Sequence, residues 1–192
     1  MHNREWKREV FTVPNMLSIF RLLLIPLYCG IYLKASGWQD YALSGGILAL
    51  SCATDCLDGM IARKTNSVTT VGKILDPLSD KATQLAVTVC LVRAHSALKW
   101  LVLLFILKEG LQALLGLYFL SCGKMLSGAE PAGKVSTAVY FASLVVLVLF
   151  PGLPAELVTG IAVMDCVFLL LSLRSYFQAY FGKDTKLHRF RE

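Results

Sequence analysis

Long apolar runs separated by short polar segments dominate the chain. A helix that crosses a bilayer needs about 20 mostly apolar residues, and six stretches of this kind are present. They cover residues 17–34, 40–63, 73–94, 97–121, 135–152 and 155–180. The second and third are the least hydrophobic, because each carries acidic and basic residues at one end. The pattern predicts an all-α fold, an integral membrane bundle of six transmembrane helices.

The polar segments between and before these runs agree with that prediction. Residues 1–16 are rich in charge and include Trp6 and Phe11, which predicts a short N-terminal segment that lies at the membrane interface. Most connections are short, and the longer one from Ser121 to Gly133 is rich in glycine. We therefore expect residues 1–192 to form a single membrane domain.

Composition narrows the class of protein. Apolar residues make up 56% of the chain and charged residues only 17%, whereas a soluble domain has roughly 25% charged residues. The net charge of +6 comes without any nucleic-acid-binding motif, so we expect no nucleic-acid partner. The six cysteines are scattered through the apolar runs and are interpreted as small buried hydrophobic residues.

Basic residues in the loops predict the orientation, since cytoplasmic loops carry an excess of Lys and Arg. With six spans, both termini share one side of the membrane with the loop between the second and third spans. That side holds Arg4, Lys7, Arg8, Arg63, Lys64, Lys73, Lys124, Lys134, Lys183, Lys186, Arg189 and Arg191, and the other side holds Lys34, Arg93 and Lys99. Both termini are therefore expected in the cytoplasm, in a multi-pass protein of the cell membrane.

Four aspartates flank the loop between the second and third spans. Asp55 and Asp58 are three residues apart, and Asp76 and Asp80 are four apart. At about 100° per residue, the members of each pair lie within roughly 60° of each other on one helix face. The connection is long enough for the two helices to run antiparallel, so all four carboxylates can converge.

Four convergent carboxylates at the edge of a bilayer repel one another and need cations nearby. Oxygen ligands of this kind suit hard divalent ions such as Mg²⁺ or Mn²⁺. Two such ions form a clamp for displacement at phosphorus. Gly59 leaves room for a substrate to approach the backbone, and Arg63 offers a planar fork suited to phosphate oxygens.

The complete pattern is D-x2-D-G-x2-A-R-x8-G-x3-D-x3-D, which runs from Asp55 to Asp80. It resembles the signature of the CDP-alcohol phosphotransferase family at every fixed position. Two further stretches, Thr12 to Arg21 and Gly133 to Thr137, are similar to elements of the branch that contains phosphatidylglycerophosphate and cardiolipin synthases. The resemblance covers nearly the whole chain and implies a metal-dependent enzyme that acts as a homodimer.

The resemblance also implies a role for individual residues. Asp55 and Asp76 would bridge two divalent ions, Asp58 would hold one ion, and Asp80 would hold the other and act as general base. Gly59, Arg63 and Thr69 would contact the CDP part of the donor, CDP-diacylglycerol, and Asn15 and Ser18 are expected to line the same pocket. Lys134 would face the phosphate of the acceptor.

The expected reaction is transfer of a phosphatidyl group from CDP-diacylglycerol to an alcohol, with release of CMP. Lys134 and the N-terminal stretch favour glycerol 3-phosphate as the acceptor. Ser136 and Tyr140 stand where that branch usually has Lys and Gln, and Lys108-Glu109 stands where it usually has Arg-Glu. Phosphatidylglycerol, which would give cardiolipin, is therefore an alternative acceptor.

Two other classes of membrane protein use intramembrane acids. A UbiA-like prenyltransferase has two acidic motifs far apart in the chain, whereas all four aspartates here fall between Asp55 and Asp80. A metal-ion transporter could use Asp165 and Glu109 along a path, but would leave Gly59 and Arg63 unexplained. For Asp165, a hydrogen bond between helices is the competing interpretation.

Overall fold

A computed structural model describes residues 12–65, 70–122, 124–126, 131–181 and 187–189. Within them, six helices follow one another along the chain, namely α1 Val13–Tyr32, α2 Trp38–Thr65, α3 Thr70–Val92, α4 Leu98–Ser121, α5 Pro131–Leu149 and α6 Ala155–Phe181. The predicted all-α bundle is confirmed. Helix ends differ most from the predicted spans at the start of α1 (13 against 17) and of α5 (131 against 135).

The helices have the length and hydropathy of a membrane protein. In the described part of the chain, four stretches are long and apolar enough to cross a bilayer, namely Asn15–Tyr32, Leu98–Ser121, Pro131–Leu149 and Ala155–Phe181. Helix α2 has 28 residues and is about 42 Å long at 1.5 Å per residue, which exceeds a hydrocarbon core of roughly 30 Å. Helices α2 and α3 fall outside this set, in keeping with the charged residues that make them the least hydrophobic of the six. The protein is a multi-pass membrane bundle.

Helix α1 begins earlier than the hydropathy predicts. Thr12 has an extended backbone, and Pro14 lies in the first turn, where its missing N–H removes no intrahelical hydrogen bond. Asn15 follows and is buried, so the helix continues through a polar residue that a hydropathy count places outside the span. The rest of the predicted interfacial segment, residues 1–11 with Trp6 and Phe11, lies outside the described residues.

The first of two compact units is built on α1, α2 and α3 up to Leu91, together with Val148–Pro151. Contacts at the C-terminal end of α1, together with those that Ser18 and Arg21 in its first half make with α3 and α2, fix the helix directions. Tyr32 at the end of α1 packs edge-on against Tyr41 near the start of α2, with ring centroids 5.6 Å apart, so these helices run antiparallel. Cys29 and Cys90, near the ends of α1 and α3, have sulfur atoms 3.4 Å apart, so these two run parallel.

This arrangement brings three helix segments to one end of the first unit. The starts of α1 and α3 meet there, and so does the second half of α2. Apolar residues bury one another further along the same helices, among them Leu24, Tyr28, Leu48, Val87 and Leu91. The polar residues of the three segments are thus held on a packed apolar base.

The second unit comprises Val92–Leu147 and the chain from Gly152 onward. Helix α4 buries one narrow stripe of Leu98, Leu101, Phe105 and Lys108, and its other faces carry exposed leucines, as expected of a helix in contact with lipid. Phe105 stacks on Tyr140 of α5 at 5.2 Å between ring centroids, and Phe119 stacks on Tyr180 of α6 at 4.6 Å.

Two short strands were not predicted. Strand β1, Lys124–Leu126, pairs antiparallel with β2, Leu187–Arg189, with Met125 opposite His188. The first strand falls in the glycine-rich connection from Ser121 to Gly133, and the second falls in the chain after the last predicted span. Three-residue strands are too short for an alternating pattern to reveal them, and their partners are far apart in the chain.

Candidate active site

A stripe of polar residues runs along the first half of α1. Asn15, Ser18 and Arg21 are three residues apart, so each lies within about 60° of the next around the helix, and all three are buried. Backbone and side-chain polar groups at membrane depth need partners inside the protein. We call these three residues the α1 polar stripe, and two of them, Ser18 and Arg21, contact side chains of α2 and α3.

Arg21 connects α2 to α3. Its Nη1 atom donates to Oδ1 of Asp55 on α2 and also to Oδ1 of Asp80 on α3. Because a hydrogen bond joins heavy atoms about 3 Å apart, these two carboxylate oxygens lie within roughly 6 Å of each other. Asp55 of the first pair and Asp80 of the second pair therefore lie next to each other, around the same Arg21 nitrogen.

A third aspartate meets the same stripe one helical turn away. The Ser18 hydroxyl donates to Oδ1 of Asp76 at 2.5 Å. The Ser79 hydroxyl donates to the backbone carbonyl of Asp76 at 2.9 Å, so Ser79 satisfies its own buried hydroxyl without using the carboxylate. Asp76 and Asp80, four residues apart on α3, thus both point at α1, as their helical spacing requires.

The cluster is layered by exposure. The Arg21 side chain is only 2% exposed, whereas the side chains of Asp55 and Asp80 are 43% and 35% exposed. The guanidinium therefore forms the floor of the site and the carboxylates form its open side. Among the described side chains of this cluster, three carboxylates face one guanidinium, which leaves these groups with an excess of formal negative charge.

Such a donor set fits a divalent cation. Carboxylate oxygens are the ligands that Mg²⁺ and Mn²⁺ prefer, and the open side can also admit a substrate oxygen. Within the described part of the chain, no group of three or more His, Cys, Asp or Glu side chains is arranged so that it could hold a metal ion as it stands. The fourth aspartate of the pattern, Asp58, is not among those side chains, and Arg21 contacts both Asp55 and Asp80.

The same stretch of chain matches a known sequence family. The family described as CDP-alcohol phosphatidyltransferase matches residues 11–171, which include α1 to α5 and much of α6. The chain belongs to the CDP-alcohol phosphatidyltransferase family. It is consequently an enzyme of the phosphatidyltransferase class, as the sequence pattern predicted.

Individual members of the family are similar over most of their length. A protein of Bacillus subtilis (strain 168) is 34% identical over 161 residues, which are 78% of this chain and 82% of the relative. Proteins of Shigella flexneri serotype 5b and Escherichia coli K12 are each 31% identical over 175 residues, 88% of this chain and 94% of the relative. All three bear the name CDP-diacylglycerol–glycerol-3-phosphate 3-phosphatidyltransferase.

The remaining donor-site predictions fall on two kinds of residue. The backbone of Gly59 and Arg63 lies in the last turns of α2, beyond Asp55, but the Arg63 side chain is outside the described part, and so is Thr69 altogether. Asn15 and Ser18 are described and buried in the α1 polar stripe, where Ser18 contacts a carboxylate. Their contacts with the donor stay predictions of the family resemblance.

The predicted acceptor residue lies in the second unit. Lys134 is in the first turn of α5 and is exposed. Ser136 and Tyr140, which depart from the usual family pattern, are both buried, and Tyr140 stacks on Phe105. These departures therefore lie in the packed interior of that unit.

Arg21 is the site residue that sequence reasoning missed. It was noted as part of the N-terminal stretch but was given no role. A signal was available, because an arginine inside an apolar run is costly unless it faces a partner, and Arg21 continues the spacing of Asn15 and Ser18 on one helix face. Four nearby acids of the pattern were the obvious partners.

Asp165, the other intramembrane acid, has a different environment. It is buried on α6 and accepts a hydrogen bond of 2.9 Å from the Ser143 hydroxyl on α5. The bond between helices that the sequence analysis weighed is therefore present. Glu109, the second acid considered for a transport path, pairs with its neighbour Lys108 at 2.8 Å.

Proposed function

We propose that this protein transfers the phosphatidyl group of CDP-diacylglycerol to glycerol 3-phosphate, giving phosphatidylglycerophosphate and CMP. Family membership supports the donor and an alcohol acceptor. Relatives from three organisms, 31–34% identical, are named for this reaction with this acceptor. The observation that carries the proposal is the meeting of Asp55, Asp76 and Asp80 on the α1 polar stripe.

Two divalent ions, Mg²⁺ or Mn²⁺, belong to the proposal. Divalent-metal dependence is general in the family. Asp55 and Asp76 would hold both ions, with Asp58 on one and Asp80 on the other. Bound ions would neutralise negative charge on the pyrophosphate and on the group being transferred. The half-exposed carboxylates above a buried guanidinium support such an assignment.

The proposed chemical step is a single displacement at phosphorus. Asp80 takes the proton of the acceptor hydroxyl, whose oxygen attacks the phosphorus attached to diacylglycerol. The bond from that phosphorus to the oxygen of CMP breaks, CMP leaves with the electron pair, and Asp80 later loses its proton to water. A base must lie within hydrogen-bond reach of its proton, and the exposure of Asp80 on the open side of the cluster supports that role.

Donor and acceptor contacts complete the proposed site. Gly59, Arg63 and Thr69 follow Asp55 in the chain and would contact the CDP part, with Asn15 and Ser18 at the start of α1. Lys134 would bind the acceptor phosphate through its ammonium group, and its exposure leaves that group available. Ser136 and Tyr140, which depart from the family pattern, are the ground for phosphatidylglycerol as the alternative acceptor.

The setting in the cell is also part of the proposal. Helices α2 and α3 would cross the membrane with the other four, giving six crossings, both termini in the cytoplasm and the aspartates at the cytoplasmic end. The excess of Lys and Arg on that side supports this orientation. The active form would be a homodimer, as the family resemblance implies.

A product assay tests the proposal. Purified protein in detergent receives labelled CDP-diacylglycerol with glycerol 3-phosphate, phosphatidylglycerol or inositol phosphate, with and without Mg²⁺. We expect CMP release and labelled phosphatidylglycerophosphate only with glycerol 3-phosphate and Mg²⁺. Cardiolipin from phosphatidylglycerol would replace the proposed acceptor, and absence of CMP release with every acceptor would contradict the enzyme assignment.

A further inference from the structure

Arg21 has a position that the proposed reaction does not by itself explain. It is almost completely buried, it lies on α1 rather than on the aspartate-bearing helices, and one of its nitrogens contacts a carboxylate of α2 and one of α3. A guanidinium is charged at every accessible pH. The site therefore contains a permanently charged group in the same region in which we propose that the divalent ions bind.

We propose that Arg21 is a positioning residue that serves as the counter-cation of Asp55 and Asp80 in the metal-free protein, and that it weakens and thereby sets the affinity for the divalent ions. The inference rests on the proposed function, because it takes the aspartates as metal ligands. It adds a residue of α1 to a site whose sequence signature lies entirely on α2 and α3.

Arg21 offsets a repulsion between Asp55 and Asp80 that would exist without bound ions. Carboxylates brought within hydrogen-bond reach of one nitrogen repel each other, and an uncompensated charge at the edge of a bilayer is costly. Arg21 removes most of that cost by contacting Asp55 and Asp80 together. Without Arg21, both side chains would lose the positive charge that it places between them.

Arg21 also competes with divalent ions for the same carboxylates. Each contact with Arg21 occupies a lone pair on Oδ1 of a predicted metal ligand. A fixed positive charge a few ångströms from a divalent ion also repels it, by an amount that stays large where water is scarce. Both effects have the same sign, so Arg21 stabilises the empty site and disfavours the filled one.

Arg21→Gln removes the charge and keeps a side chain that can donate a hydrogen bond. Two quantities are measured in detergent, the unfolding temperature in EDTA and in saturating Mg²⁺, and the Kd for Mn²⁺ from the signal of the free ion. We expect Arg21→Gln to unfold at a clearly lower temperature in EDTA, to recover most of the loss in Mg²⁺, and to bind Mn²⁺ on the order of tenfold more tightly.

Arg21→Lys is the matched control, since it keeps a positive charge at the same place. We expect it to show a Mg²⁺-induced shift and a Kd for Mn²⁺ close to those of the wild type. A side chain that only fills space would behave differently. In that case Arg21→Gln would lower the unfolding temperature equally with and without Mg²⁺ and leave the Kd unchanged, and this result would overturn the inference.

A second variant covers the case in which Arg21→Gln cannot be purified. The double variant Arg21→Gln, Asp80→Asn removes one positive and one negative charge together. We expect it to fold in EDTA, because the remaining carboxylate no longer faces a second one across the arginine position. Failure of this charge-balanced protein to fold, in EDTA and in Mg²⁺ alike, would also overturn the inference.

The same titrations separate this inference from the proposed function. Wild-type protein that binds no Mn²⁺ and gains no stability from Mg²⁺ would contradict the two-ion site and with it the proposed reaction. Wild-type protein that binds Mn²⁺ with the affinity of Arg21→Gln would leave the reaction standing and remove only the role of Arg21.

Discussion

The two units of this protein each place acidic side chains inside the helical bundle, but in opposite surroundings. In the first unit, Asp55 and Asp80 are 43% and 35% exposed and share a buried guanidinium. In the second unit, Asp165 is 1% exposed and its described partner is the hydroxyl of Ser143. Asp55 and Asp80 are partly exposed, lie close together and contact a cation, whereas Asp165 is buried and its described partner is a neutral hydroxyl.

This difference is the reason that we propose a chemical role for Asp55 and Asp80 and a structural role for Asp165. An intramembrane acid is a functional candidate by default, and on that criterion Asp165 and Asp80 rank equally. Greater exposure, neighbouring carboxylates and a contact with a guanidinium distinguish Asp80. Asp165 has the features of a hydrogen bond that fixes α5 against α6.

The largest expected effect is that of replacing Asp80, and the same replacement at Asp165 is the direct comparison. Asp80→Asn should lower the rate of CMP release by about 10²–10⁴-fold, the usual contribution of a general base, and more if metal binding also suffers. Asp165→Asn keeps an oxygen that can accept from Ser143 and should stay within about twofold of the wild type. Release of labelled CMP in detergent measures both, and equal losses would erase the distinction between the two regions.

Removal of metal should affect the function of the Asp55 and Asp80 cluster and not that of Asp165. EDTA is expected to abolish turnover, and added Mg²⁺ or Mn²⁺ to restore it. At a concentration 100 times the Kd, a ligand stabilises the folded state by about 2.7 kcal/mol. The Mg²⁺-induced rise in unfolding temperature should therefore be present in the wild type and in Asp165→Asn, and lost in Asp55→Asn. Loss of that rise in Asp165→Asn would make Asp165 part of the metal site.

Lys134 tests whether the second unit contributes to substrate binding as well as to structure. Lys134→Ala should raise the KM for glycerol 3-phosphate by roughly 10- to 100-fold, since a hydrogen bond to a charged group is worth about 1.5–3 kcal/mol. The KM for CDP-diacylglycerol should not change. Lys134→Arg is expected to recover most of the affinity.

Lys99→Ala serves as a control for the loss of an exposed lysine elsewhere. It should leave both KM values as they are. If Lys134→Ala also left the KM for glycerol 3-phosphate unchanged, the acceptor phosphate would have to be bound by other residues, and the contribution of the second unit would reduce to packing.

The smallest effect belongs to the hydrogen bond of Asp165. Ser143→Ala should lower the free energy of unfolding by about 0.6 kcal/mol, the mean value for hydrogen bonds between membrane helices, with kcat unchanged. Thr159→Ala is a suitable comparison, because the Thr159 hydroxyl bonds to the Ala155 carbonyl within α6. Chemical unfolding in mixed micelles measures the change, and a drop in kcat without loss of stability would contradict the structural role.

The sequence by itself determined where the helices lie and which acids belong together. Apolar runs are a local property of the chain, so the spans were predicted to within a turn or so at most ends, the earlier starts of α1 and α5 being the main differences. The spacing of Asp55 and Asp58, and of Asp76 and Asp80, is likewise local, because helical geometry alone puts each pair on one face. The family resemblance follows from the same fixed spacing.

Only the tertiary structure decided what those acids meet. Arg21 lies 34 residues from Asp55 and 59 from Asp80 along the chain, and no periodicity reports on contacts over such distances. The direction of α1 along α3, the bond from Ser18 to Asp76, the partner of Asp165 and the pairing of β1 with β2 are of the same kind. Each depends on how separate helices or strands pack against one another, and packing is a property of the folded chain rather than of any one segment.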